Sequence, residues 1–309
     1  MDPRLTTAVL LSVLIVACGA PQPDDHAQPT SESTDPPLVV FTVNYPLAYF
    51  AKRIAGDRAR IEFPAPADVD PAFWSPDASL VTDYQRADLI LRNGAGYAGW
   101  IDRVTMPASK LVDTSASFRD DLIEVSDSVV HTHGPEGDHS HGQAAFTTWL
   151  DPTLAVEHAR AIRDAMVKLR PEQEPEFEEG FEGLRRDLEQ LDISLRRILP
   201  AGAGPPVLAS HPVYQYLERR YGLDLESVHF EPDEYPDEQA WKDLEGILAD
   251  HPAPLMLWEG QPTAETEQAL LQLGVESVVF DPCGNAPGQG DFLTVMLGNS
   301  TELERALSP

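Results

Sequence analysis

Basic residues are scarce in this 309-residue chain: 22 Lys and Arg stand against 51 Asp and Glu, leaving a net charge of −29. Affinity for a phosphate backbone comes largely from Lys and Arg displacing counterions, so the balance argues against nucleic acid as a partner and disfavours anionic headgroups. Cysteine is scarcer, with only Cys18 and Cys283. Two catalytic spacings are missing as well. Neither His-Glu-x-x-His nor Gly-x-Ser-x-Gly occurs, which argues against an exported zinc enzyme or a serine hydrolase, and the chain is read as no enzyme. The N-terminal apolar run, Leu5 to Ala17, is interrupted by Thr6, Thr7 and Ser12 and is too short to cross a bilayer as a stable helix. What is present is a globular composition, 42% hydrophobic and 24% charged.

That run, after Arg4, reads as a secretory signal over residues 1–17. It ends Val16-Ala17-Cys18-Gly19, which resembles the lipobox of a bacterial lipoprotein, so Cys18 is expected to carry lipid and Cys283 then has no disulfide partner. Gly19 after the Cys favours the outer membrane in a cell that has one. Residues 18–37 are rich in Pro, Asp, Gln, Ser and Thr without periodicity, a flexible tether. The expected product is an exported protein anchored by lipid in the periplasm or at the cell surface.

From Leu38 onward, short apolar runs alternate with amphipathic ones, the pattern of an α/β fold. Strands are predicted at Val39–Val43, Arg60–Phe63, Asp88–Arg92 and Lys110–Asp113, with helices near Leu47–Ala55, Asp77–Ala87 and Tyr97–Val104. A second set places strands at Val207–Ser210, Leu225–Phe230, Leu255–Glu259 and Ser277–Asp281, with helices near Pro212–Tyr221, Asp237–Asp250, Thr263–Leu273 and Phe292–Leu307. Runs apolar on both faces, such as Val278-Val279-Phe280, suit parallel strands covered by helices. Two similar lobes follow, residues 38–152 and 200–309. Residues 153–199 between them are helical. Phe177, Phe181, Leu184, Leu188, Leu191, Leu195 and Ile198 recur at alternating spacings of 4 and 3, one apolar stripe along a long rigid helix that packs on both lobes.

Four of the nine histidines, His131, His133, His139 and His141, fall within eleven residues of a Gly/Pro-containing loop, 131–142, that suits neither a long helix nor a long strand. Neutral imidazole is the commonest protein ligand for zinc, and histidines on a loop can wrap an ion without a prebuilt cage. His26, His158, His229 and His251 are read as surface or packing residues.

In order along the chain, Asn44-Tyr45-Pro46-Leu47, Asp70-Pro71 with Pro76, Ala87-Asp88-Leu89-Ile90 with Asn93-Gly94, Trp149-Leu150-Asp151-Pro152, Ser210-His211-Pro212-Val213-Tyr214 and Phe280-Asp281-Pro282-Cys283-Gly284 resemble the zinc/manganese solute-binding proteins of ABC transporters. The resemblance implies two parallel-sheet α/β lobes joined by a long helix, a metal cleft between them, an ABC permease as partner and a monomeric receptor.

It also implies ligands, only half of which are present. His211 stands at the third ligand position and Asp281 at the fourth. The first-lobe pattern Asp-Pro-His appears as Asp70-Pro71-Ala72, and the His expected two residues before Trp149-Leu150 is Thr147. Neither Ala72 nor Thr147 is a useful zinc ligand. Three replacements are open: the four loop histidines; oxygens from Asp70, Asp77 or Glu259, which would shift preference toward manganese; and a thiolate from Cys283. Glu259 is also placed to orient a ligand rather than bind directly, and Phe73 and Trp74 are expected to wall the cleft. The expected function is capture of a divalent metal, zinc ahead of manganese, for an importer. The alternatives are a receptor of the same fold holding another ligand or a metal chelate, and a metal buffer or adhesin working through the loop alone.

Overall fold

The computed structural model describes residues 36–125, 130–132, 138–140, 144–202 and 204–308. The signal segment, Cys18 and nearly all of the tether, His26 included, lie outside the described residues.

The first lobe is built from β1 (Leu38–Thr42), α1 (Tyr45–Ala55), β2 (Ala59–Glu62), α2 (Ala78–Arg86), β3 (Leu89–Arg92) and β4 (Leu111–Asp113). Its strands are parallel in the order β2-β1-β3-β4. A short antiparallel pair, β5 (Val130–Thr132) and β6 (Asp138–Ser140), sets His131 opposite His139 within the histidine-rich loop. Two helices follow, α3 (Pro152–Leu169) and the 25-residue α4 (Glu174–Ile198). The second lobe contains β7 (Val207–Ala209), α5 (Gln215–Tyr221), β8 (Leu225–Ser227), α6 (Glu238–Asp250), β9 (Leu255–Trp258), α7 (Ala264–Gln272), β10 (Glu276–Val279) and α8 (Phe292–Leu307). Its parallel order, β10-β9-β7-β8, repeats the first lobe's order.

All of these helices except α4 and α5 start where a side chain satisfies an orphan backbone N–H. Asn44 caps α1 through Leu47, Asp77 caps α2 through Leu80, and Asp237, Thr263 and Asp291 cap α6, α7 and α8. The predicted helix over Tyr97–Val104 shrinks to a 3-10 turn at Gly99–Arg103, because Ala95 and Ala98 adopt left-handed backbone and interrupt the helical path.

The α4 stripe is buried as its spacing predicts over Phe177, Phe181, Leu184, Leu188, Leu191 and Leu195, while Ile198 at its end is only partly buried. They join a core that runs from β1 and α1 through α3 and α4 into Tyr214, Tyr216 and Phe280 of the second lobe. A smaller cluster, including Leu208, Phe230, Leu244 and Trp258, covers that lobe's far face. Gly180 lets α4 lie close against α1, since a Cβ there would stand 2.4 Å from the Ile54 carbonyl oxygen.

Candidate metal centre

In an open parallel sheet whose strand order reverses direction, the crevice opens at the carboxyl ends of the two strands flanking the switch. In the second lobe these are β7 and β9, and the chain places His211 just past one and Glu259 immediately after the other. In the first lobe the equivalent corner is knitted shut: Asn44 Nδ2 donates to Asn93 Oδ1 at 3.1 Å, and Asn93 Nδ2 donates to the Phe146 carbonyl at 2.9 Å. These asparagines, prominent in the sequence pattern, hold the scaffold.

Between the lobes lies a cavity of about 230 Å³ whose lining includes Asp70, Tyr97, Thr147, His211, Glu259 and Asp281. Its rim is tied across the lobes. Trp149 Nε1 donates to the Pro282 carbonyl at 2.7 Å, Tyr45 N–H to Gly284 at 3.0 Å, and the Asn285 amide to Pro66 at 2.7 Å and Val69 at 2.8 Å. Thr147 donates its hydroxyl to the Val213 carbonyl. At the position where the resembling family has a histidine, this chain therefore has a bond between the lobes.

His211 is only 5% exposed and sits between two carboxylates: Glu259 lies 3.3 Å from Nδ1 and Glu231 lies 3.3 Å from Nε2. The ring of His229 lies 5.9 Å away, centroid to centroid, at 72°. Asp281 is a turn former and a cleft residue together. Its Oδ1 accepts the Cys283 N–H at 2.7 Å, and Asn299 brackets its backbone by accepting its N–H and donating to its carbonyl. Burial pushes the Asp281 carboxyl above its usual range, while the Cys283 N–H bond opposes the shift. A cation in the cleft would offset that desolvation.

The other predicted residues divide. Asp70 lines the cleft, with Oδ1 accepting the Ala72 N–H at 2.8 Å. Asp77 is occupied as the α2 cap and does not line the cavity. Cys283 is 1% exposed, with its sulfur 3.9 Å from the Asn285 carbonyl; burial first, then Asp281 and Asp291, pushes the thiol far above its usual range. A protonated thiol is a poor metal ligand. Of the loop histidines, His133 and His141 lie outside the described residues, and for His131 and His139 only the strand pairing is described. Phe73 lines the cavity as expected, and Trp74 does not. Among the described residues, no group of three or more His, Cys, Asp or Glu side chains is already arranged around one ion.

His158 behaves as a packing residue: it is fully buried between Thr148 Oγ1 at 2.7 Å and Thr114 Oγ1 at 2.6 Å, and burial lowers its pKa to about 3. His251 likewise bonds the Val207 carbonyl at 3.0 Å. His229 is exposed, as a surface residue would be, but the segment after β8 also brings its ring to His211. The sequence held a signal for this in Val228-His229-Phe230-Glu231, whose alternation sends His229 and Glu231 to one side.

The fold and sequence have known counterparts. The zinc-binding lipoprotein AdcA of Streptococcus pneumoniae strain R6 is 25% identical over 289 residues, covering 90% of this chain and 54% of AdcA. The chain thus spans about half the length of that relative. The high-affinity zinc uptake system protein ZnuA of Yersinia pestis is 23% identical over 264 residues, covering 80% of this chain and 83% of ZnuA. Among solved structures, the metal-dependent lipoprotein YcdH of Bacillus subtilis superposes with a TM-score of 0.74 at 21% identity, covering 87% of this chain and 99% of YcdH. The Zn(II)-bound ZnuA-like domain of S. pneumoniae AdcA superposes with a TM-score of 0.73 at 20% identity, over 88% of this chain and all (100%) of that domain. The profile of one family spans residues 40–306, and by that match the chain belongs to the family of the periplasmic zinc-uptake complex component A.

Proposed function

We propose that this chain is an exported receptor that captures zinc in the cleft between its lobes and delivers it to an ABC permease, tethered by lipid on Cys18. It is a receptor and no enzyme. The observation that carries the reading is His211, a buried imidazole at the switch point of the second sheet, flanked by carboxylates in a chain of the zinc-uptake family. Nitrogen and oxygen donors together suit zinc, and the oxygen-rich remainder of the cleft, Asp70, Glu259 and Asp281, leaves manganese as the second cargo. The histidine-rich loop serves as a collector that raises the local zinc concentration, and a net charge of −29 favours cations near the surface.

Elemental analysis of protein purified without added metal, followed by calorimetric titration with zinc and manganese, tests the reading. Deleting His131–His141 is expected to lower stoichiometry or affinity, whereas His211→Ala removes the tighter cleft binding. Absence of any divalent-metal binding would refute it. A second reading, in which the cargo is a metal chelate, is favoured by the cavity's size. Its volume of about 230 Å³ exceeds what a bare ion needs, and Phe73, Tyr97, Phe146 and Trp149 line it with aromatic surface.

A further inference from the structure

His211 is held in a way that its place in the sequence does not convey. Its contacts to Glu231 and Glu259 are both 3.3 Å. Charge-assisted N–H···O bonds close to about 2.7–2.9 Å, so both contacts are long for that role. In a tetrahedral zinc site with Zn–N and Zn–O of about 2.0–2.1 Å, a ligand nitrogen and a ligand oxygen stand about 3.3 Å apart. The observed separation therefore matches the edge of a zinc tetrahedron.

One ion can use one ring nitrogen. Nδ1 is sealed from solvent beside Glu259, and a ligating histidine ordinarily gives its other N–H to a carboxylate that fixes the tautomer. Glu259 is placed to take that orienting role once its 3.3 Å contact to Nδ1 shortens to a hydrogen bond. Nε2 then faces the cargo, with Glu231 beside it.

The chain after β8 explains why Glu231 is there. The Val228 and Phe230 N–H groups bond to the carbonyls of Ala209 and Ser210, prolonging the ladder beside β7, and both side chains are buried. Alternation turns His229 and Glu231 the other way, toward His211. His229 is exposed, with its ring 5.9 Å from that of His211, centroid to centroid.

We propose that Glu231 and His229 are metal ligands in this chain, joining His211 Nε2 and standing in for the first-lobe histidines whose places Ala72 and Thr147 occupy. The proposal rests on the receptor reading above. It moves the main ligands onto one lobe, so capture does not wait for the lobes to close and Thr147 is free to serve as a tie between them.

Zinc affinity is measured by competition with a chelator on the intact chain and on Glu231→Gln, His229→Ala and Glu231→Asp. All are compared in a background with His131, His133, His139 and His141 changed to Ala, so that loop binding does not mask the cleft. Cobalt(II) spectra of the same proteins report the ligand field. The expected result is a loss of tenfold or more for Glu231→Gln and for His229→Ala, a smaller loss for Glu231→Asp, and a changed visible cobalt spectrum for His229→Ala. If either of the first two variants loses less than tenfold, or the cobalt spectrum is unchanged, the proposal is overturned while the receptor reading stands. Failure of the unsubstituted intact chain to bind zinc overturns both.

Discussion

Gly180→Ala probes the close approach of α1 to α4. The added Cβ would stand 2.4 Å from the Ile54 carbonyl oxygen, 2.8 Å from that of Arg53 and 2.8 Å from the Ile54 Cα. All are backbone atoms, so no rotamer change relieves the overlap. Favourable contact distances are about 3.5–4.0 Å, so the helices must part by on the order of 1 Å. Overpacking of this kind costs about 1–3 kcal/mol. Helix propensity acts the other way, since Ala is favoured over Gly in a helix interior by about 0.8–1 kcal/mol. Gly183 isolates that second effect, because a Cβ there meets only the Arg186 guanidinium, at 3.9 Å. Gly183→Ala is therefore expected to stabilise, and Gly180→Ala to be less stable than it by about 1–3 kcal/mol. At about 2–4 °C per kcal/mol for chains approaching this size, thermal unfolding should separate the two variants by several degrees. Urea titrations with unchanged slopes would confirm a change in stability alone. Equal melting of the two would refute the close approach of α1 and α4.

His158 is neutral in the fold, with its pKa lowered to about 3 by burial, whereas in the unfolded chain it protonates near its ordinary value of 6.5. Stability should therefore be independent of this group above pH 6.5 and fall as pH drops toward 3, by at most about 1.4 kcal/mol per pH unit. His158→Gln should flatten the slope, and identical slopes in urea titrations across that range would disprove the assignment. Cys283 should resist an aromatic disulfide reagent in native protein and react on unfolding, measured in a Cys18→Ser background; prompt native reaction would contradict its burial. His211→Ala should weaken zinc binding by 100-fold or more while leaving the circular dichroism spectrum unchanged, and a loss below tenfold would move the binding site elsewhere.

The periodicities carried most of the fold. The α4 stripe was legible because a 4-3 alternation has one physical solution, a helix with one buried face, and α8 runs over Phe292–Leu307 as its pattern indicates. The 3-10 turn at Gly99–Arg103 was not legible, since left-handed backbone at Ala95 and Ala98 is a conformation that alanine rarely adopts and composition does not signal. Within the site, His211, Glu259 and Asp281 were readable from their places at strand ends and Asp70 from the Asp-Pro pattern of the family resemblance, and all reach the cleft. Asp77 and Cys283 were equally plausible by residue type, and their surroundings removed them: one is spent on a helix cap, the other is buried and protonated.

Sequence alone determined the repeated strand–helix alternation and the central helix, because these depend on local spacing, and the family resemblance marked Ala72 and Thr147 as replacements of the first-lobe histidines it implies. Only tertiary structure decided which donors stand near one another. Glu231 is 20 residues from His211 and Glu259 is 48 away, yet each closes to 3.3 Å on a different nitrogen of one ring. That convergence follows from the parallel order β10-β9-β7-β8, which gathers distant strand ends at one edge and which no local pattern encodes.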